Sequence, residues 1–406
     1  MPLFAPNPSR SGWSRARRGA VSEWWWTVDR WLLATALLLL ATGFLLSLSA
    51  SPAATHRLRI DDSFHFVARH AVFLGVASAV LIATSFLTPR WVRRGGIVLC
   101  AAMVAALLLL PFFGYATKGA MRWYSLGPFL FQPSEFLKPA FAVTSAFLFA
   151  EAQRRPDMPA NALCVALFGV CFAMLVMQPD MGQSILLFGI WGTMFFMAGM
   201  PWLWIAVFGA LGAVGGLMAY LSVDHFAQRI DRFVTGAGDT FQVDRGLEAI
   251  RAGGWVGRGP GEGQVKYGLP DGHTDFVYAV AGEEFGILFA AALACGFAFV
   301  VLRGLAHAMR ERDRFVQLSV AGLVLAFGFQ AIINIGVNLQ LLPAKGMTLP
   351  LISYGGSSMV AVAFGLGLVL ALTRRRSEHY RRAVLGHGMG GVRIGPSALP
   401  SALAQG

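Results

Sequence analysis

The chain has 406 residues, of which 56% are hydrophobic and only 13% charged, with a mean hydropathy of +0.60. A water-soluble domain of that length needs far more charge on its surface, so a soluble globular fold is excluded. The net charge of +12 does not point to nucleic acid, because the Arg residues sit in short clusters between apolar runs, where they report membrane orientation.

Residues 1–23 form a basic tail carrying Arg10, Arg15, Arg17 and Arg18. The apolar run that follows is too long for the core of a signal peptide and lacks a small-residue cleavage site, so it reads as a first span. Stretches of membrane-crossing length recur near 24–48, 66–87, 97–113, 136–150, 162–177, 183–197, 202–221, 276–302, 315–342 and 351–373. The fourth to sixth are short, which leaves eight or nine spans as an alternative. The fold class is an all-α polytopic membrane protein of about ten transmembrane helices. Cys100, Cys164, Cys171 and Cys295 all fall in apolar runs, without metal-ligand spacing, and read as small apolar side chains.

With the first tail in the cytoplasm, the clusters Arg90, Arg93, Arg94; Arg154, Arg155; Arg303, Arg310, Arg312, Arg314; and Arg374, Arg375, Arg376 all lie inside. Residues 24–373 then form the ten-helix domain, with one large periplasmic loop, 222–274, between spans seven and eight. Residues 374–406 are a cytoplasmic tail, expected to be disordered. Three segments facing outward are rich in Gly, Pro and polar residues: 118–138, the long loop ending at Asp275, and 342–358.

In the first of these, Pro133 opens the fourth span with Ser134 as a credible N-cap, and Glu135 and Lys138 are an i,i+3 pair at the membrane edge. They serve either as cap and anchor or, with Arg122, as holders of a phosphate-bearing headgroup. Asp180, in the break Gln178-Pro179-Asp180, is explicable as a turn former and equally as an acid kept near hydrocarbon for a purpose. The long loop carries Arg229, Arg232, Arg258 and Lys266 around a run of glycines, as counter-charge for an anionic headgroup or as incidental cations. No GK[ST] follows those glycines, which excludes a nucleotide P-loop. A Gly-rich backbone can still wrap an anionic headgroup through its N–H groups, or be a solvated loop.

Asp275 precedes an apolar span, where a helix N-terminus favours the carboxylate and partial desolvation opposes it. Such an acid can accept a proton from a hydroxyl, or simply cap the helix. His273 stands two residues away, and Glu283 and Glu284 lie deeper, at least one facing the bundle interior. Gln330, Asn334 and Asn338 share one face of the ninth span, as helix–helix glue or the wall of a wet cleft. Lys345 follows in the last outer segment.

The ordered set KGAMRW, QPSEFLK, QPDMGQ, QRIDRF, GRGPGEG, HTDF, GEEFG and PAKGMTLPLISYGGSS resembles the SEDS family of membrane glycosyltransferases, across nearly all of the ten-span region. The wording KGMTLPLISYGGSS is similar to the division-associated FtsW branch rather than the elongation-associated RodA branch, with Leu351 standing where an aromatic residue is common. The resemblance implies lipid II as substrate, Asp275 as the base on the acceptor 4-hydroxyl, and undecaprenyl pyrophosphate as leaving group. It implies substrate contacts at Arg122, Glu135, Lys138, Asp180, Arg229, Arg232, Arg258 and Lys345. It also implies a class B penicillin-binding protein and other divisome membrane proteins as partners, in the bacterial inner membrane at the septum. A divalent cation (Mg or Mn) is compatible with the chemistry, but the sequence offers no clear ligand set. Two other accounts remain at this point: a flippase for the same precursor, and a scaffold in which Asp275 only caps a helix.

Overall fold

A computed structural model describes residues 20–117, 120–127, 129–222, 227–228, 231, 241–343 and 346–374. By contacts the chain divides into two units, residues 28–373 and the two ends that flank them. Among the described residues of the ends is a short helix α1 (Ala20–Thr27), whose Thr27 hydroxyl accepts from Arg374 Nε at 3.0 Å.

The larger unit is a helical bundle. Its helices are α2 (Arg30–Leu58), α3 (His65–Ser85), α4 (Pro89–Phe113), α5 (Pro133–Arg154), α6 (Ala160–Met177), α7 (Met181–Met197), α8 (Trp202–Ser222), α9 (Phe241–Gly253), α10 (Val277–Arg310), α11 (Arg314–Asn338) and α12 (Gly356–Thr373). Ten of them, all but α9, stand where apolar stretches were expected. Eight are long and apolar enough to cross a bilayer; α7 has 17 residues and α5 is the most polar of the ten.

Local chemistry explains several boundaries. The first span begins at Arg30 rather than at residue 24, because Asp29 caps α2 by accepting from Trp31 and Leu32 N–H at 3.0 and 3.1 Å. Burial would raise the Asp29 pKa, but His307 and Arg303 of α10 bond the carboxylate and hold it well below its ordinary value. Asp313 caps α11 in the same way. Ser134 is not the cap of α5: Gln132 occupies that position and Pro133 is the first helical residue, where its missing N–H and preset φ suit a helix start.

Two expected loops are structured. Residues 115–131 hold a small antiparallel sheet, β1 (Tyr115–Thr117), β2 (Ala120–Leu126) and β3 (Phe129–Phe131), in the order β1-β2-β3. The long connection after α8 contains α9 and a 3-10 turn at Val265–Gly268.

The centre of the bundle is α5, buried on every face from Leu137 to Ala146, and packed against α4, α11 and α12. By contrast, no described side chain of α8 is fully buried, although Phe208 packs on Trp191 and Phe195. Helix α10 is interrupted at Gly286, whose φ of 83° and ψ of 173° suit glycine alone. The glycine-rich segment plugs that break. Arg258 and Gly259 N–H donate to the carbonyls of Glu283 and Glu284 at 3.0 Å each, while Ile287 and Leu288 N–H reach Gly254 and Trp255 carbonyls at 2.9 and 3.3 Å. The glycines are required because backbone meets backbone here. A Cβ on Gly257 would lie 2.1 Å from the Glu284 carbonyl oxygen.

This packing predicts a contrast between two glycines that share a positive φ. Gly257→Ala meets both the steric wall and the φ penalty, and should lower stability by roughly 3 kcal/mol. Gly261→Ala, at φ 88° with open space around it, should cost roughly 1 kcal/mol. Thermal unfolding of the two purified variants in the same detergent reads the difference.

Candidate functional site

The segment 271–276 is a tight knot at one end of the bundle. Asp271 adopts a left-handed φ of 52°, and its carbonyl accepts from the N–H groups of Thr274, Asp275 and Phe276 at 3.0–3.1 Å. Helix α10 starts just beyond, with Phe276 at the N-cap position. Asp275 is therefore not the cap residue of α10. At that helix start the Ala279 N–H, which donates to the Phe276 carbonyl at 3.0 Å, is also met from another helix by Asn338 Oδ1 at 3.1 Å.

Three consecutive carbonyls of this knot are bonded by distant parts of the chain. The His273 carbonyl accepts from Tyr354 N–H at 3.0 Å, and that of Thr274 from Ser353 Oγ at 2.5 Å. The Asp275 carbonyl accepts from both Asn334 Nδ2 at 2.8 Å and Asn338 Nδ2 at 3.0 Å. Asn334 Nδ2 also reaches the Met347 carbonyl at 2.6 Å. The two loops are thus clamped to one face of α11, and the Asp275 side chain is left half-buried. Gly346 faces it, such that a Cβ there would lie 3.6 Å from Asp275 Oδ2. Leu351 sits in the second loop, buried, at a φ of 63°, a left-handed conformation that a branched side chain adopts only when its surroundings impose it.

One turn along the same face of α11, Gln330 begins a buried polar chain. Its Nε2 donates to the Thr348 carbonyl at 3.1 Å, and its Oε1 accepts from Lys138 Nζ at 2.9 Å. Lys138 also pairs with Glu135 at 2.8 Å, and Glu135 Oε1 accepts from Gln183 Nε2 at 2.6 Å. Asp180 caps α7 through Gln183 N–H at 3.4 Å. Burial pushes its carboxyl pKa up, and the Arg122 charge opposes that shift. Arg122 donates to the Gln178 and Pro179 carbonyls at 3.1 and 2.7 Å. So Arg122, Glu135, Lys138 and Asp180 belong to one assembly, tied through Gln330 to the loop beside Asp275.

Arg258 lies elsewhere, exposed at the end of α9 with its Nε on the Ala252 carbonyl at 3.1 Å. Two N–H groups of that Gly-rich segment, on Arg258 and Gly259, are taken up by the break in α10 and so do not serve a headgroup. Lys266, read from sequence as spare counter-charge, is buried and ion-paired with Glu284. Glu283 accepts from the Val265 and Lys266 N–H groups at 2.7 and 2.9 Å. Both glutamates thus face inward. Arg229, Arg232 and Lys345 lie outside the described residues.

A cavity of about 290 Å³ opens beside the knot. Its walls include Ala50, Ala54 and Arg57 of α2, Gln242 of α9, and Asp271 and His273. Among the described residues no three His, Cys, Asp or Glu side chains converge into a cluster. Asn334 and Asn338 grip the Asp275 loop, a contact that was missed in the sequence. Their i, i+4 spacing was visible; the target of their amides was not.

The Glu135–Lys138 pair makes a testable energetic claim. Lys138→Met leaves a buried carboxylate without its cation and should destabilise the protein by about 3–5 kcal/mol, whereas the double variant Glu135→Gln/Lys138→Met should recover most of that loss. Thermal unfolding of the three proteins provides the comparison.

Comparison with known proteins places this geometry. The sequence profile of the cell cycle protein family FtsW/RodA/SpoVE matches residues 29–378. The chain is 46% identical to a probable peptidoglycan glycosyltransferase FtsW of Caulobacter vibrioides (strain NA1000 / CB15N), over 90% of this chain and 94% of that one. It is 31% identical to stage V sporulation protein E of Bacillus subtilis (strain 168), over 85% and 97% of the respective chains. Among solved structures it is similar to a chain of a peptidoglycan synthase complex described as coordinating polymerization and crosslinking, with a TM-score of 0.72 at 27% identity, covering 85% of this chain and 97% of that one. The rod shape determining protein RodA of Thermus thermophilus gives a TM-score of 0.64, also at 27% identity, over 86% and 97% of the chains.

Proposed function

The chain belongs to the FtsW/RodA/SpoVE family of cell cycle proteins, and on that premise we propose that it polymerises lipid II into glycan strands with Asp275 as general base. It is an integral membrane protein and a peptidoglycan glycosyltransferase of the FtsW, cell-division branch. The observation that carries the role of Asp275 is that its peptide is held from two other segments while its carboxylate stays half-buried beside Gly346.

In this reading Asp275 sits at the periplasmic face of the cytoplasmic membrane, with both chain ends in the cytoplasm and the enzyme working at the septum. The carboxylate takes the proton of the acceptor sugar's 4-hydroxyl. That oxygen attacks the anomeric carbon of the lipid-linked donor, the glycosidic bond forms with inversion, and the bond to undecaprenyl pyrophosphate breaks. The departing phosphates need positive charge. Arg122 is half-buried and uses only part of its five-donor fork on the Gln178 and Pro179 carbonyls. Lys345 is next in sequence to Gly346, and together the two cations answer that need. Arg229, Arg232 and Arg258 add positive charge that attracts the anionic headgroup. Glu135, Lys138 and Asp180 act by holding the turn that presents Arg122.

A class B penicillin-binding protein is the proposed partner. A chain related to this one is part of a complex described as coordinating polymerization with crosslinking, and a strand made at the membrane needs a transpeptidase to join it to the wall.

Purified protein, alone and with that partner, given labelled lipid II should produce glycan strands resolvable by size. Asp275→Asn preserves shape and removes the base, so strand growth should fall at least a hundredfold. Normal strand growth by this variant contradicts the assignment, and precursor translocation in vesicles without polymer supports a flippase instead.

A further inference from the structure

We infer that Asn334 and Asn338 are positioning residues for the reaction, acting on Asp275 through its peptide carbonyl rather than through substrate. The inference rests on the reading of Asp275 as the base. Both amides are buried, and both donate to the same oxygen. A carbonyl has two acceptor positions, and here one rigid helix fills both, fixing the peptide plane and with it the direction in which Asp275 leaves the backbone.

The same two side chains hold what lies on either side of that peptide. Asn338 turns its Oδ1 to the Ala279 N–H at 3.1 Å, a second acceptor beside the Phe276 carbonyl at 3.0 Å, at a helix start whose own N-cap residue, Phe276, supplies no side-chain bond. Asn334 shares its Nδ2 with the Met347 carbonyl at 2.6 Å, which sets the strand bearing Gly346 against the carboxylate. Asn338 Nδ2 also contacts the Asn334 carbonyl at 2.9 Å and its Oδ1 at 3.3 Å, so the pair moves as a unit. Helix–helix glue would join two apolar helix flanks. These amides instead join α11 to two irregular segments at the point where the carboxylate is presented.

Two variants of one residue separate positioning from mere support. Asn338→Asp keeps an acceptor for the Ala279 N–H and loses the donor to the Asp275 carbonyl, whereas Asn338→Leu loses both; Asn334→Leu removes the second donor. We expect Asn338→Asp and Asn334→Leu to lower kcat for lipid II polymerisation about a hundredfold, the scale of a misplaced reacting group, with KM changed less than about threefold. Amide hydrogen exchange over residues 271–279 should quicken about tenfold, matching one lost net hydrogen bond, while exchange within α5 stays unchanged. A rise in KM at constant kcat would overturn the inference by making the amides substrate contacts. Unchanged exchange at 271–279 would overturn it by showing that no clamp was released. A uniform rise in exchange across the bundle would reduce the pair to general support. The exchange measurement needs no turnover, so it still reads the clamp if Asp275→Asn shows that the base lies elsewhere.

Discussion

In hydrocarbon there is no water to satisfy a backbone N–H or carbonyl, so every departure from helix must find its partners within the protein. Among the described residues, three departures from helix close to Asp275 are each met by side chains or backbone from elsewhere. The break at Gly286 is filled by the glycine-rich segment. The knot at 271–276 is met by Asn334, Asn338, Ser353 and the Tyr354 N–H. The loop before α12 leans on Gln330 and Asn334 through the Thr348 and Met347 carbonyls. Because these partners are specific, the irregular segments are held in one arrangement, and an acid placed on one of them has a defined direction.

Buried ions follow the same logic. Lys138 with Glu135, and Lys266 with Glu284, are pairs with almost no solvent exposure. Such pairs are weak sources of net stability, since desolvation offsets most of the attraction. Their effect is on register: each ties segments that are far apart in sequence, α5 to α7 and α11 in the first case, and the 3-10 turn to α10 and α2 in the second. A polar chain runs from the Arg122 clamp on the 178–179 turn to the loop beside Asp275, which gives distant family motifs a shared physical task.

Much of the bundle was legible in the sequence, because membrane-length apolar stretches and Arg clusters are local signals. The family was legible for another reason, the ordered set of motifs. What was not legible depended on contacts across the chain. The run around Gly257 read as a flexible ligand cradle, since composition cannot reveal that the Arg258 and Gly259 N–H groups meet the Glu283 and Glu284 carbonyls. Lys266 read as free counter-charge, because its partner Glu284 is eighteen residues away in sequence. Asp275 kept a capping alternative until Phe276 proved to hold the N-cap position of α10. The strands between 115 and 131 were missed because they are runs of only 3, 7 and 3 residues between spans, too brief for a periodic signal.

The central claim is that Asp275 removes a proton during glycan transfer, and the pH dependence of kcat/KM for lipid II polymerisation tests it most directly. The account predicts an acid limb in which the rate falls as one carboxylate is protonated, and the loss of that limb from the residual rate of Asp275→Asn. An acid limb of the same position and slope in the variant would contradict the claim and move the base to another residue.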